Sequence, residues 1–262
     1  MVSMSSELRL RIVSALVLAA VSFGEVWVGG WLFAVFVSAI AFIVFLEWTA
    51  IIGLSAFENA RLRACFNMFL VLAILVLLGP KAALAGLILF VVLAHIATAS
   101  TTQETAYWTS FATLYCGLAA ISLVSLRDSE QGISAILLLF GIVWGTDIGA
   151  YFVGRKFGGP KLAPAISPGK TQSGAVGGLV VAVVAAVLVA AFTQIINLYA
   201  AVFIAAFVSL VSQIGDLFES YLKRRFGVKD SGSIMPGHGG MFDRVDGLMP
   251  AAIALFIILK LI

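Results

Sequence analysis

Charge is what this chain has least of. Asp, Glu, Lys and Arg supply only 11% of its 262 residues, where a soluble domain of average composition carries about one-quarter. Hydrophobic residues make up 62% and the mean hydropathy is +1.12. A water-filled fold is excluded, and a polytopic membrane protein is what remains. Cysteine is nearly absent too: Cys65 and Cys116 sit in separate apolar segments. That excludes a disulfide framework or a cysteine metal site, and both read as reduced packing residues. The net charge of +3 is small and dispersed, so no nucleic-acid-binding face is expected. Internal repeats and long linkers are also missing, which argues for one membrane domain rather than a string of soluble ones.

What is there is a succession of apolar runs. A spanning helix needs about 20 mostly apolar residues, and by that rule about nine spans are expected. They centre near Val17, Ala39, Ala73, Leu89, Leu114, Leu139, Val183, Phe207 and Ile257. The first resembles a signal peptide, with Arg9 and Arg11 before an apolar stretch and Ala20-Val21-Ser22 as a loose cleavage site. Further spans follow at once, so a first transmembrane helix is the better reading. With the N-terminus placed in the cytoplasm, 13 of the 16 basic residues fall on the inner side, leaving only Lys81, Arg127 and Lys260 outside. The positive-inside bias asks for this arrangement. Both long polar loops then face the cytoplasm. Residues 1–130 read as a transmembrane scaffold half and 131–262 as a catalytic half.

The chemistry concentrates in Ser220 to Asp246. That run holds five basic residues, three aspartates, a histidine and five glycines. Charge beside a bilayer is expensive, which makes such a cluster a functional hypothesis. Asp243 and Asp246 are spaced i, i+3, so at the start of a helix their carboxylates share one face. Asp216 and Glu219 repeat the spacing near the end of the preceding span, and carboxylates from two neighbouring helices suit a divalent ion such as Mg2+. The bland alternative is that these acids cap helices or pair with Arg224, Arg225 and Arg244. Pro236-Gly237-His238-Gly239-Gly240 can turn sharply and expose backbone amides to an anion. His238 is a candidate to bind phosphate or to donate a proton to a leaving group, and its sequence context does not choose between them.

A second loop completes the picture. Asp147, Tyr151 and Arg155 fall on one face of a helix, with Asp147 inside an apolar span, where the alternative is a buried pair with Arg155 or a lysine. Lys161 to Gly174 contains a Ser167-Pro168 turn, Lys170 and a following helix, a ready anion site. It is not a Walker A loop, because the upstream glycine is missing and no strand precedes it. Gly174 and Gly178, four apart, read as close helix packing. Glu47 with Trp48 reads as an interfacial anchor, and His95 as a hydrogen-bonded packing residue.

These residues resemble the phosphatidate cytidylyltransferases, the CDP-diacylglycerol synthases. Ser220 to Asp246 follows that family's long signature (Ser-x-apolar-Lys-Arg through His-Gly-Gly-apolar-x-Asp-Arg-apolar-Asp), with Met235 the one departure. Asp147 to Gly174 is similar to its Asp-x-x-Ala-Tyr-x-x-Gly-Arg and Ile-Ser-Pro-x-Lys-Thr segments, except that Ser173 stands where a glutamate is typical. The resemblance implies Mg2+-dependent transfer of the cytidylyl group from CTP to phosphatidic acid, releasing pyrophosphate. It also implies metal held by Asp216, Asp243 and Asp246, with a monovalent cation such as K+ as a candidate second ion. Lys223 and His238 join these aspartates as catalytic candidates. Arg224, Lys229, Arg244, Ser167, Lys170, Asp147, Tyr151 and Arg155 are the candidates for holding the anionic substrates. A homodimer in a bacterial inner membrane is expected, with phosphatidate entering from the bilayer.

Three rivals are weaker. Asp243-Arg-Val-Asp246-Gly247 begins like a CDP-alcohol phosphotransferase motif, but no acid follows Asp246, and that reading fails. A CTP-dependent lipid kinase, or a cytidylyltransferase for another lipid phosphate, shares the site chemistry. A transporter would concentrate its polar breaks near mid-membrane in repeated halves, whereas here they gather in two loops.

Overall fold

The structure is a computed structural model and describes residues 20–234 and 239–261. In hydrocarbon a chain must satisfy its own backbone, so apolar runs become helices. After a helical stretch at 20–28 come α1 (Gly30–Ile51), a 3-10 turn (Leu54–Ala56), α2 (Glu58–Leu78), α3 (Pro80–Ala97), α4 (Gln103–Arg127) and α5 (Gly132–Phe157). A small hairpin follows, β1 (Lys161–Ala163) and β2 (Ser167–Thr171), then α6 (Gln172–Thr193), α7 (Leu198–Arg225), α8 (Phe242–Val245) and α9 (Leu248–Leu261).

Helices α1 to α7 are the seven among the described residues that are long and apolar enough to cross a membrane. The protein is therefore an all-α, multi-pass membrane protein. They coincide with seven of the nine expected spans. The span centred near Val17 lies outside the described residues. The last expected span is α9, apolar but only 14 residues long, about 21 Å of helix against a core of about 30 Å.

The chain packs as two compact units, Met1–Val124 with Phe226–Arg244, and Ser125–Arg225 with Val245–Ile262. In the first unit, α2 ends at Gly79 (φ 86°) and α3 restarts at once with Pro80 in its first turn, where proline lacks only an amide that had no helical partner. Asn67 Nδ2 donates to the Phe90 carbonyl at 2.8 Å and ties α2 to α3. At its centre Trp48 is fully buried. It stacks on Phe242 at 5.3 Å with 17° between planes, and meets Tyr115 at 5.6 Å and Phe111 at 5.8 Å.

In the second unit, α5 and α6 approach through small residues. A Cβ on Gly178 would lie 2.6 Å from the Thr146 carbonyl, and one on Gly174 would lie 2.8 Å from that of Ala150. The i, i+4 glycines thus serve packing, as their spacing predicts. Thr146 Oγ1 lies 2.8 Å from Ser209 Oγ, a buried polar link between α5 and α7. The expected Ser167-Pro168 turn is corrected: both residues belong to β2, with Ala163 opposite Ser167 and Lys161 opposite Thr171. Pro168 is tolerated because a two-stranded ribbon has open edges.

Candidate active site

The second unit contains a cavity of about 630 Å³, lined among others by Asp147, Tyr151, Arg155, Lys170, Gln213 and Asp216. Each comes from a different piece of local logic. The α5 turn spacing stacks Asp147, Tyr151 and Arg155 on one face, and Arg155 Nη1 donates to the Tyr151 hydroxyl at 2.8 Å. Among the described residues, no ion pair joins Asp147 to Arg155. The hairpin brings Lys170 to the wall, where its ammonium pairs with Asp216. Thr171 ends β2 and caps α6, its Oγ1 accepting from Gly174 N–H at 3.1 Å.

Asp216, near the end of α7, does not stand alone. Asp246, in the turn before α9, hydrogen-bonds to its side chain, and Asp147 adds a further negative field. Burial first, and then the Asp216 carboxyl, push Asp246 well above the usual carboxylate range, against the opposing Gly247 amide, which donates at 2.8 Å. Like charges crowded in a half-dry site are costly unless a cation joins them. Asp216 and Asp246 are carboxylates that could hold a hard divalent ion, and Lys170 is the counter-ion to Asp216. Among the described residues, no group of three or more His, Cys, Asp or Glu side chains is placed to hold a metal ion. Two carboxylates plus substrate oxygens is, however, a common way of holding Mg2+.

The remaining expected site residues are distributed otherwise. Lys223 forms a 2.7 Å ion pair with buried Glu219 one turn before it on α7. Arg224, Lys229 and Arg244 are exposed. Ser167 stands in β2 and is not among the residues lining the cavity. His238 lies outside the described residues. Ser173, where a glutamate is typical of the family it resembles, donates its hydroxyl to the Gly158 carbonyl and so ties the start of α6 to the end of α5.

Asp243 belongs to the first unit and is bound into its own loop. Its Oδ2 accepts from the Ser231 hydroxyl at 2.9 Å, from Gly240 N–H at 3.0 Å and from Ser231 N–H at 3.2 Å. Behind it lies a residue whose role the sequence reading missed. Glu47 is not an interfacial anchor: it is 4% exposed. Its Oε1 accepts from Met241 N–H at 2.9 Å, and its Oε2 from Phe242 N–H at 2.8 Å and the Ser231 hydroxyl at 3.1 Å. The available signal was a lone acid in an apolar helix, a functional pointer in itself. Gln213, also missed, lines the cavity and donates to the Ala175 carbonyl at 3.3 Å.

Comparison with known proteins shows the family. A family model described as "Cytidylyltransferase family" matches residues 9–262. The chain belongs to that family. It is 42% identical to the phosphatidate cytidylyltransferase of Brucella suis biovar 1 (strain 1330) over 254 residues, 96% of this chain and 93% of the relative. It is 40% identical over 154 residues, 58% of this chain and 57% of the relative, to the phosphatidate cytidylyltransferase of Bacillus subtilis (strain 168). The enzyme of the same name from Haemophilus influenzae is 42% identical over 130 residues, 48% of this chain and 45% of the relative.

Proposed function

We propose that this protein is a phosphatidate cytidylyltransferase, joining CTP and phosphatidate to give CDP-diacylglycerol and pyrophosphate. The observation that carries the reading is the meeting of Asp216, Asp246 and Lys170 at the cavity of the second unit, in a chain 42% identical to such an enzyme over 96% of its length. A phosphate oxygen of phosphatidate attacks the α-phosphorus of CTP. The bond from that phosphorus to the bridging oxygen breaks, and pyrophosphate departs with the electron pair.

Little covalent work falls to the protein, so its task is positioning and charge neutralisation. Lys170, Arg155 and Lys161 hold triphosphate oxygens in the cavity, while Tyr151 keeps the Arg155 guanidinium in place. Asp216 and Asp246 would hold a Mg2+ ion, and Asp243 is a further candidate ligand by the family resemblance alone. When bound, that ion supplies the positive charge that offsets the triphosphate and the leaving pyrophosphate. K+ is the candidate for a second ion. Both polar loops face the cytoplasm, where CTP resides, and phosphatidate reaches them from the surrounding bilayer. The membrane is a bacterial plasma membrane, and the working form is a homodimer.

The test is product analysis with purified protein in lipid–detergent micelles. CDP-diacylglycerol and pyrophosphate formed in equal amounts, only with phosphatidate and Mg2+ present, supports the reading. CDP with a newly phosphorylated lipid would replace it with a lipid kinase.

A further inference from the structure

We infer that Glu47 is a positioning residue for the catalytic loop: its carboxylate is the template on which Ser231 and residues 239–243 set. This rests on the cytidylyltransferase reading, which makes the loop and Asp243 part of the site. Three donors converge on Glu47, two of them consecutive backbone amides, Met241 and Phe242. Consecutive amides aimed at one carboxylate fix both the direction and the register of the chain that carries them. Such an anchor matters in a glycine-rich segment, because glycine restricts its own backbone least.

Two of those glycines have their reason here. A Cβ on Gly232 would lie 2.6 Å from Glu47 Oε1, and one on Gly240 would lie 2.7 Å from Glu47 Oε2. The loop therefore closes over the carboxylate at backbone distance, which no side chain at either position permits. The third donor is the Ser231 hydroxyl, 3.1 Å from Glu47 Oε2 and 2.9 Å from Asp243 Oδ2. One hydroxyl thus stands between the template and the aspartate expected to act, and the Asp243 amide returns to the same oxygen at 3.4 Å. The next residue in α1, Trp48, clamps the other end by stacking on Phe242. Residues 47 and 48 together hold Met241 and Phe242, and Asp243 follows directly in sequence.

Glutamine at position 47 keeps the volume but turns an amide group toward an N–H donor. A space-filling role tolerates that exchange; a template does not. The experiment compares full-length wild type with Glu47→Gln and Ser231→Ala, reading amide hydrogen exchange across 239–244, kcat, and the Mg2+ concentration for half-maximal rate. Glu47→Gln is expected to speed exchange at Met241 and Phe242, lower kcat and raise the half-activating Mg2+, each by about 10- to 100-fold, as loss of a supporting contact does. A smaller active fraction would lower kcat and leave the Mg2+ midpoint in place. Ser231→Ala should move all three readings in the same direction by about tenfold, the lower end of the worth of a hydrogen bond to a charged group.

Wild-type exchange in Glu47→Gln overturns the inference, and so does faster exchange with kcat and Mg2+ midpoint unchanged. If Glu47→Gln does not fold, Ser231→Ala decides by the same readings. If wild type turns over no CTP, the functional reading fails, and exchange at 239–244 alone decides whether Glu47 is the template.

Discussion

The cavity in the second unit and the glycine loop in the first are both polar islands in hydrocarbon, and they handle polarity in opposite ways. In the loop, donors and acceptors close on one another: Glu47 and Asp243 receive backbone amides and a shared hydroxyl. Around the cavity, Asp147, Asp216 and Asp246 repel one another, with Lys170 as counter-ion to Asp216. A self-satisfied network builds shape. A cluster of like charges is what a cationic ligand and its anionic partner would complete. On the proposed function, the loop's closed network would set the position of Asp243, and the charge around the cavity would be completed by substrate and ion.

The hardest blow to that contrast is expected from Asp246→Asn. It should lower turnover by about 10³-fold, the scale of several kcal/mol of metal-dependent stabilisation. It should also raise the melting temperature of metal-free protein, since it removes a crowded charge. The sign follows from the raised carboxyl: its charged form is disfavoured in the folded state. The metal-free fold therefore strengthens as pH falls through that raised value and weakens as pH rises toward it from the unfolded one. A thermal melt with chelator across pH checks both points. Removing a loop charge at Asp243 has no such benefit, because its carboxylate is already satisfied by donors; Asp243→Asn should lower the melting temperature instead.

Lys170→Met is the next largest. Losing its charge should raise KM for CTP by about 10- to 100-fold, the worth of one charge-assisted hydrogen bond, with a smaller change in KM for phosphatidate. Steady-state rates at varied CTP and lipid separate the two. Gly178→Val tests the frame of the cavity rather than its charge. Overpacking against Thr146 should cost about 1–3 kcal/mol, seen in thermal unfolding. Smallest of all, Ser173→Glu should change turnover by about threefold or less, since Ser173 acts on the Gly158 carbonyl rather than in the cavity charge cluster.

Spans were the most legible part of the sequence, because hydrocarbon leaves the backbone one option and length alone identifies it. Each of the helices α1 to α7 contains its expected centre. The turn spacing of Asp147, Tyr151 and Arg155 was legible for the same reason: helical periodicity fixes the face. Sequence spacing was a poorer guide to what each acid does. Asp243 and Asp246 are three residues apart, yet one carries loop hydrogen bonds and the other meets Asp216, a residue 30 positions earlier. That division depends on tertiary partners, which spacing does not encode. Glu47 was misjudged for a related reason. Its partners lie 184 to 195 residues away, and next to Trp48 at a span edge it has the composition of an anchor.

The most direct test of the central claim is Mn2+ binding by electron paramagnetic resonance in the presence of CTP, for wild type and for Asp246→Asn in the same micelles. The account predicts a bound-ion signal in wild type that weakens by about tenfold or more in affinity in the variant, in step with lost pyrophosphate release. Equal Mn2+ binding by a folded Asp246→Asn would contradict it, and would move the metal away from the Asp216–Asp246 pair.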